Sequence, residues 1–122
     1  MKVLLSIKPE FALKIFEGSK KYEYRRNIFK RTDVTTIVVY ASEPIKKVIG
    51  EFEIDGIIHE RPQVIWEQTG EQAGISKETF LDYFKDKTKG YAIKVRDARK
   101  YDAPVPLSRL IVVSPPQSFA YL

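Results

Sequence analysis

The sequence predicts an α+β domain in which about five to six strands curl into a small, closed or nearly closed β-barrel, flanked by two or three short helices. Three observations predict it. The chain has 122 residues, a length that suits one domain with one core, spanning residues 1–122. Its 43% hydrophobic residues, with seven Tyr, seven Phe and one Trp, are enough to fill that core. The strand-like segments follow one another mostly without the helical crossovers that parallel strands require, and closing such a sheet hides its edges.

Each element has a local reason. Lys2–Ile7 (KVLLSI) is rich in Val, Leu and Ile and runs into Lys8-Pro9, so a strand should precede a helix with proline in its first turn. Phe11, Ala12, Ile15 and Phe16 make one stripe at helical period, and Gly18 stands where a left-handed glycine stops a helix, which sets it at Pro9–Glu17. Tyr22–Arg26 (YEYRR) alternates aromatic and charged residues as a half-buried strand does, with Glu23 and Arg25 on one face. Thr35–Ala41 (TTIVVYA) is the strongest strand and is expected to be central, closed by the turn residues Ser42-Glu43-Pro44.

In Ile45–Ile58 the alternation slips around glycines 50 and 56, the pattern of a long bent strand with bulges. Pro62 should open a short turn containing Trp66, and Ser76 should cap a helix that buries Phe80, Leu81 and Phe84. Gly90–Arg96 reads as a further strand and Leu110–Val113 as the last, before Ser114-Pro115-Pro116.

Composition removes whole classes of function. With no Cys and a lone histidine, His59, there is no disulfide scaffold, thiolate zinc site, cysteine nucleophile or His cluster. Asp33, Glu43, Glu51, Glu53 and Asp55 match no metal-ligand spacing, so no metal is expected. Neither G-x-G-x-x-G nor a P-loop occurs, and no cofactor is expected. The apolar runs are far shorter than the ~20 residues that span a bilayer, and no signal-like segment follows Met1. A cytoplasmic protein without a membrane partner is the expectation, and a monomer is favoured.

The 21 Lys and Arg outweigh the 16 Asp and Glu, and their distribution is uneven. Residues 1–31 carry nine basic and three acidic groups, residues 32–88 six and eleven, and residues 89–122 six and two. If the basic ends meet in the fold they make a positive face suited to a polyanion such as RNA; the plainer alternative is a solvated surface of mixed charge.

The residues Gly18, Lys20, Glu23 and Arg25 form the pattern G-x-K-x-x-E-x-R, placed after a helix and running into a strand. Together with Leu5–Ala12 (LSIKPEFA), Tyr40-Ala41-Ser42-Glu43-Pro44 and the tail Pro115-Pro116-Gln117-Ser118-Phe119, this resembles a compact branch of the ASCH domain family, relatives of the PUA-like barrels, over essentially the whole chain. The resemblance implies a β-barrel of five or six strands and a cleft that receives the lysine, glutamate and arginine. It implies RNA or nucleotide binding, with a role in regulating transcription or translation. Some small members resemble amidohydrolases that act on N4-acetylcytidine, or nucleases. The deacetylating members carry a threonine where this chain has Glu23, a departure that leaves acyl-enzyme chemistry without its nucleophile.

The side chains themselves suit a nucleotide. Lys20 supplies a mobile point charge for phosphate, Arg25 a planar fork for phosphate or a base face, and Glu23 an acceptor for a base amino group. Reading a base edge inside a cleft requires an unpaired base, so single-stranded RNA or a modified base is the expected ligand. The plainer alternative is a charged hairpin edge whose Glu23–Arg25 pair is an exposed ion pair. Lys8, just before Pro9, and the hydroxyl of Ser42 are added as binding candidates, although a serine before Glu-Pro also suits a turn. For an enzyme, Lys20 and Glu23 are the catalytic candidates, Glu23 activating a water and Lys20 stabilising the oxyanion. Tyr22, Tyr24 and Trp66 are read as core or packing residues, and His59 as a lone solvated or core histidine.

Overall fold

The structure, a computed structural model, describes residues 1–110 and 118–122 of the chain. Its strands are β1 (Lys2–Ile7), β2 (Tyr22–Arg25), β3 (Thr36–Ala41), β4 (Lys47–Glu60), β5 (Gly90–Val105) and β6 (Phe119–Tyr121). The helices are α1 (Pro9–Glu17), α2 (Pro62–Thr69) and α3 (Lys77–Tyr83), with single 3₁₀ turns at Gly70–Gln72 and Leu107–Arg109. The strands form one sheet in the order β2-β5-β4-β3-β1-β6, curled into a half-barrel with the helices against it. The expected barrel is therefore nearly closed, with a seam between the edge strands β2 and β6.

Most neighbours are antiparallel. The exception is β1 with β3, which run parallel from Lys2↔Thr36 to Ile7↔Ala41, and the intervening chain crosses through α1 and the distant edge strand β2. α1 keeps proline in its first turn and ends at Gly18, whose φ of 95° is accessible to glycine at little cost. The bend of β4 comes from breaks in its register, between Val48 and Gly50, Glu51 and Glu53, and Ile54 and Ile57. The bulges expected near the two glycines are thus present.

Three elements depart from expectation. Residues around Trp66 form a full helix, α2, rather than a short turn, and Trp66 packs on Phe80 with ring centroids 5.0 Å apart. In α3, capped by Ser76 Oγ accepting from the Thr79 N–H, Phe80 and Phe84 are buried but Leu81 is 45% exposed. Positions 80 and 84 share one helix face and 81 lies a third of a turn away. β5 continues nine residues past Arg96 to Val105. Its charged stretch is held by β4: Arg99 Nη2 donates to Glu51 and Glu53 at 2.7 and 2.9 Å, and Tyr101 Oη to Glu51 at 2.8 Å.

At the C-terminal end, Leu110 closes a turn, and the remainder of the expected strand Leu110–Val113 lies outside the described residues, as do Pro115 to Gln117. The edge position on β1 is taken by β6, with Leu4↔Ala120 in register.

Inside the curl, α1 covers a core of Val3, Leu5, Ile7, Ile15, Ile37, Val39 and Phe52. A second core under α2 and α3 holds Tyr22, Tyr24, Ile65, Phe80 and Phe84, in agreement with the packing role read for the two tyrosines. His59 stacks on Tyr91 at 4.2 Å, and both sit at the β4–β5 end of the sheet. The curl tightens at Gly50, where an added Cβ would lie 2.5 Å from Arg99 O and 2.6 Å from Phe16 Cζ. Because backbone is one of the two neighbours, Gly50→Ala should lower stability by about 2 kcal/mol, read as a shifted urea midpoint at unchanged slope.

Candidate functional site

A cleft of about 500 Å³ opens between the end of β1 with the start of α1 on one side and α3 on the other, with β2 as its floor. All five predicted residues, Lys8, Lys20, Glu23, Arg25 and Ser42, line it. Their roles differ sharply.

Lys20 reaches the cleft because the chain leaves α1 in a tight turn, with the N–H groups of Gly18, Ser19 and Lys20 all directed at Lys14 O. Its side chain is only 2% exposed. The ammonium Nζ donates to Ala73 O at 2.7 Å and lies 4.6 Å from the Tyr24 ring centroid and 5.4 Å from that of Phe11. Gly74 (φ 67°) presses on the lysine stem, and Lys14 Nζ donates to Gly74 O at 3.1 Å, so the segment before Ser76 is clamped against the end of α1. The mobile charge expected from the sequence is in fact fixed. Burial is the main influence on its amine and lowers its pKa to about 8; Glu23 opposes that shift and Lys14 adds to it.

Glu23 is 5% and Arg25 9% exposed, so their pair is buried, not the exposed ion pair of the plainer alternative. Arg25 Nη1 donates to Glu23 Oε2 at 3.3 Å and to Ser6 O at 3.2 Å. Nη2 donates to Ser118 O at 3.0 Å and Ser118 Oγ at 2.8 Å. The bond to Glu23 stays within β2; the other three cross the seam to β1 and to Ser118 beside β6, and among the described residues only Nε–H is left unspent. The bidentate grip on a phosphate expected of Arg25 is therefore not available, because the fork is used to close the half-barrel. Glu23 Oε1, by contrast, has no donor among the described residues, and no buried side-chain oxygen there lacks one, so Oε1 faces the open cleft.

Lys8 is exposed at the mouth, in the cap position of α1, where its side chain caps nothing. Ser42 is half-buried; its N–H donates to Ile7 O and its carbonyl accepts from Ile45, so it begins a turn as well as lining the cleft. α3 contributes Thr79, Asp82 and Tyr83, and α1 contributes Glu10 and Phe11. These were not foreseen, since α3 was legible only as a helix with a buried face and nothing in its sequence indicates that its other edge lines the cleft. Three cations, Lys8, Lys20 and Arg25, and three carboxylates, Glu10, Glu23 and Asp82, thus share the lining.

The basic termini do meet, since β6 pairs with β1, but their charges do not form one uniform face. Acids of β4 lie between them: Lys2 pairs with Glu51, Arg99 with Glu51 and Glu53, and Lys94 and Arg96 with Asp55. Segments separated in sequence interleave in the sheet.

A curled half-barrel whose cleft carries the lysine, glutamate and arginine of G-x-K-x-x-E-x-R defines an ASCH-type, PUA-like domain. The chain belongs to the ASCH domain family: it is 32% identical over 123 residues to the ASCH domain-containing ribonuclease of Zymomonas mobilis, an alignment covering 98% of this chain and 82% of that one. A crystal structure of ASCH from Zymomonas mobilis matches it with a TM-score of 0.90 at 31% identity, over 99% of this chain and 87% of the other. Residues 1–116 also match the family described as Domain of unknown function (DUF365). At 29% identity the chain matches a protein of Ureaplasma parvum described as large ribosomal subunit protein uL22, of which it spans 39%. Among the described residues no helix is long and apolar enough to cross a membrane.

Two predictions follow from this geometry. Arg25→Ala removes the bonds across the seam and leaves Glu23 buried without its cation, which should cost about 3 kcal/mol in urea unfolding, and Arg25→Lys should recover little because one ammonium cannot make both sets of contacts. For Lys20, the folded amine gives up its proton near pH 8, whereas the unfolded one holds it to 10.5. Between those values the unfolded state binds more protons, so stability rises with pH. Relative to Lys20→Met, the wild type should gain roughly 2–3 kcal/mol between pH 8 and 10 and show no such trend below pH 7.

Proposed function

We propose that the cleft receives one unpaired nucleotide of single-stranded RNA and that Lys20 and Glu23 cut the phosphodiester beside it. The observation that carries this reading is the pair itself: a desolvated lysine fixed on Ala73 O, next to a carboxylate with one oxygen held by Arg25 and the other open to the cleft. The similarity over nearly the whole chain to a protein described as a ribonuclease supports it.

Cleavage of RNA needs a base for the 2′-hydroxyl, a positive group at the phosphate and an acid for the departing 5′-oxygen. Glu23 Oε1 takes the 2′-proton. The freed oxygen attacks phosphorus, and the Lys20 ammonium stabilises the charge gathering there and gives a proton to the 5′-oxygen. The products are a 2′,3′-cyclic phosphate and a 5′-hydroxyl. Because Lys20 acts as the ammonium, kcat should fall as pH rises through about 8, where the buried amine loses its proton.

In mass spectrometry of an RNA oligomer, wild type should produce cyclic-phosphate ends. Glu23→Gln should reduce kcat at least 100-fold with KM nearly unchanged, and Lys20→Ala should abolish cleavage. Intact RNA after prolonged incubation with the wild type sinks the reading.

A second reading has its own observation, the balance of three cations and three carboxylates around the cleft, which suits a neutral nucleoside better than a polyanion. In it Glu23 activates a water and Lys20 stabilises the oxyanion during amide hydrolysis of N4-acetylcytidine. Acetate release by wild type, lost in Glu23→Gln, would select it over RNA cleavage.

A further inference from the structure

We infer that Arg26, with Lys85 beside it, forms a phosphate-binding ledge at the Tyr83 end of the cleft and holds the RNA backbone next to the nucleotide that enters. The inference rests on the RNA reading of the cleft and adds the surface that grips the strand outside it. A cleft of balanced charge, whose own arginine is spent on the seam, has little with which to hold a polyanion, so the grip has to come from its rim.

Arg26 is built for this where Arg25 is not. Its backbone N–H donates to Tyr83 Oη at 3.1 Å, which sets it on the rim, since Tyr83 lines the cleft. Its Nη1 donates to Tyr83 O at 2.8 Å and Lys85 O at 2.9 Å, anchoring the guanidinium on the C-terminal end of α3. Nε and Nη2 have no acceptor among the described residues. Those two groups form the edge of a guanidinium that makes two parallel bonds to a phosphate. The anchored half removes most of the rotamer freedom that a surface arginine would otherwise lose on binding. Lys85, whose carbonyl receives one of these bonds, is exposed and makes no ion pair among the described residues, so the residue that anchors the fork also carries an unpaired point charge.

The test uses a fluorescently labelled, 2′-O-methylated RNA pentamer, which cannot be cut, titrated by anisotropy over a range of salt. Arg26→Gln should weaken binding five- to twentyfold and flatten the slope of log K against log salt by about 0.7, one phosphate contact on a single strand. Lys85→Ala should act in the same direction. Its side chain makes no hydrogen bond or ion pair among the described residues, so it also decides the matter if Arg26→Gln fails to fold. A purely structural Arg26 would lower the melting temperature and leave the salt slope of the folded protein unchanged, and that result overturns the inference. Lys20→Ala separates the two readings. If it weakens the pentamer while Arg26→Gln and Lys85→Ala do not, the cleft binds RNA and the ledge is wrong. If Arg26→Gln and Lys85→Ala weaken it while Lys20→Ala does not, the ledge stands and the cleft reading falls. No binding by wild type removes both.

Discussion

The bonds of Arg25 across the seam are the constraint on which the rest of the site depends. A sheet in the order β2-β5-β4-β3-β1-β6 leaves two free edges, and backbone pairing between them would close the barrel and fill the space where the cleft lies. Side-chain donors do the joining instead. Arg25 reaches from β2 to Ser6 O on β1 and to Ser118 beside β6, and a guanidinium is long enough to link the edges while holding them apart. The cleft exists because the closure is made by one side chain and not by a ladder. Glu23 is part of the same device: it balances the buried cation and is oriented by it, which leaves one oxygen turned to the open side.

The second constraint is the burial of Lys20. An ammonium taken from water costs several kcal/mol unless its donors are met, and here Ala73 O meets one of them while two aromatic rings give weaker electrostatic support. That the pKa is nonetheless lowered to about 8 shows that desolvation outweighs these contacts and the neighbouring Glu23. Tyr24 is itself fixed by a 2.7 Å bond to Thr69, so the ring facing the amine cannot swing away. Lysine of this kind is a residue whose charge can change near neutral pH, which is a poor way to stabilise a fold and a useful property for moving a proton.

Much of this was legible in the sequence. The period of Phe11, Ala12, Ile15 and Phe16, with proline before it and Gly18 after it, defines α1 closely because local rules govern helix ends. Slipped alternation around Gly50 and Gly56 announced the bulged β4 for the same reason. β6 was not legible, because three residues, Phe119–Tyr121, owe their strand conformation to the edge of β1 and to nothing in their own pattern. The extension of β5 past Arg96 was hidden by its charges, whose partners Glu51 and Glu53 are more than forty residues away. The motif residues were found as a set, yet their division of labour was not, since whether an arginine grips a ligand or a backbone carbonyl is decided by which strand edge ends up opposite it.

The same principle applies to charge. A net charge of +5 and basic ends suggest a positive surface, but sheet pairing places the acids of β4 between β5 and the N-terminal strand, so that most of β5's cations meet an acid at close range. What a polyanion meets is therefore set by which cations keep donors that are not already taken. Arg25 has one such group and Arg26 has a whole edge of its guanidinium, although the two residues are adjacent in the chain. Alternation along β2 accounts for the difference: Arg25 points across the seam with Glu23, and the next residue, where the strand has ended, turns toward the end of α3. On the proposed RNA reading, selectivity inside a neutral cleft and attraction at its rim would then be altered independently, by changes to one residue or to its neighbour.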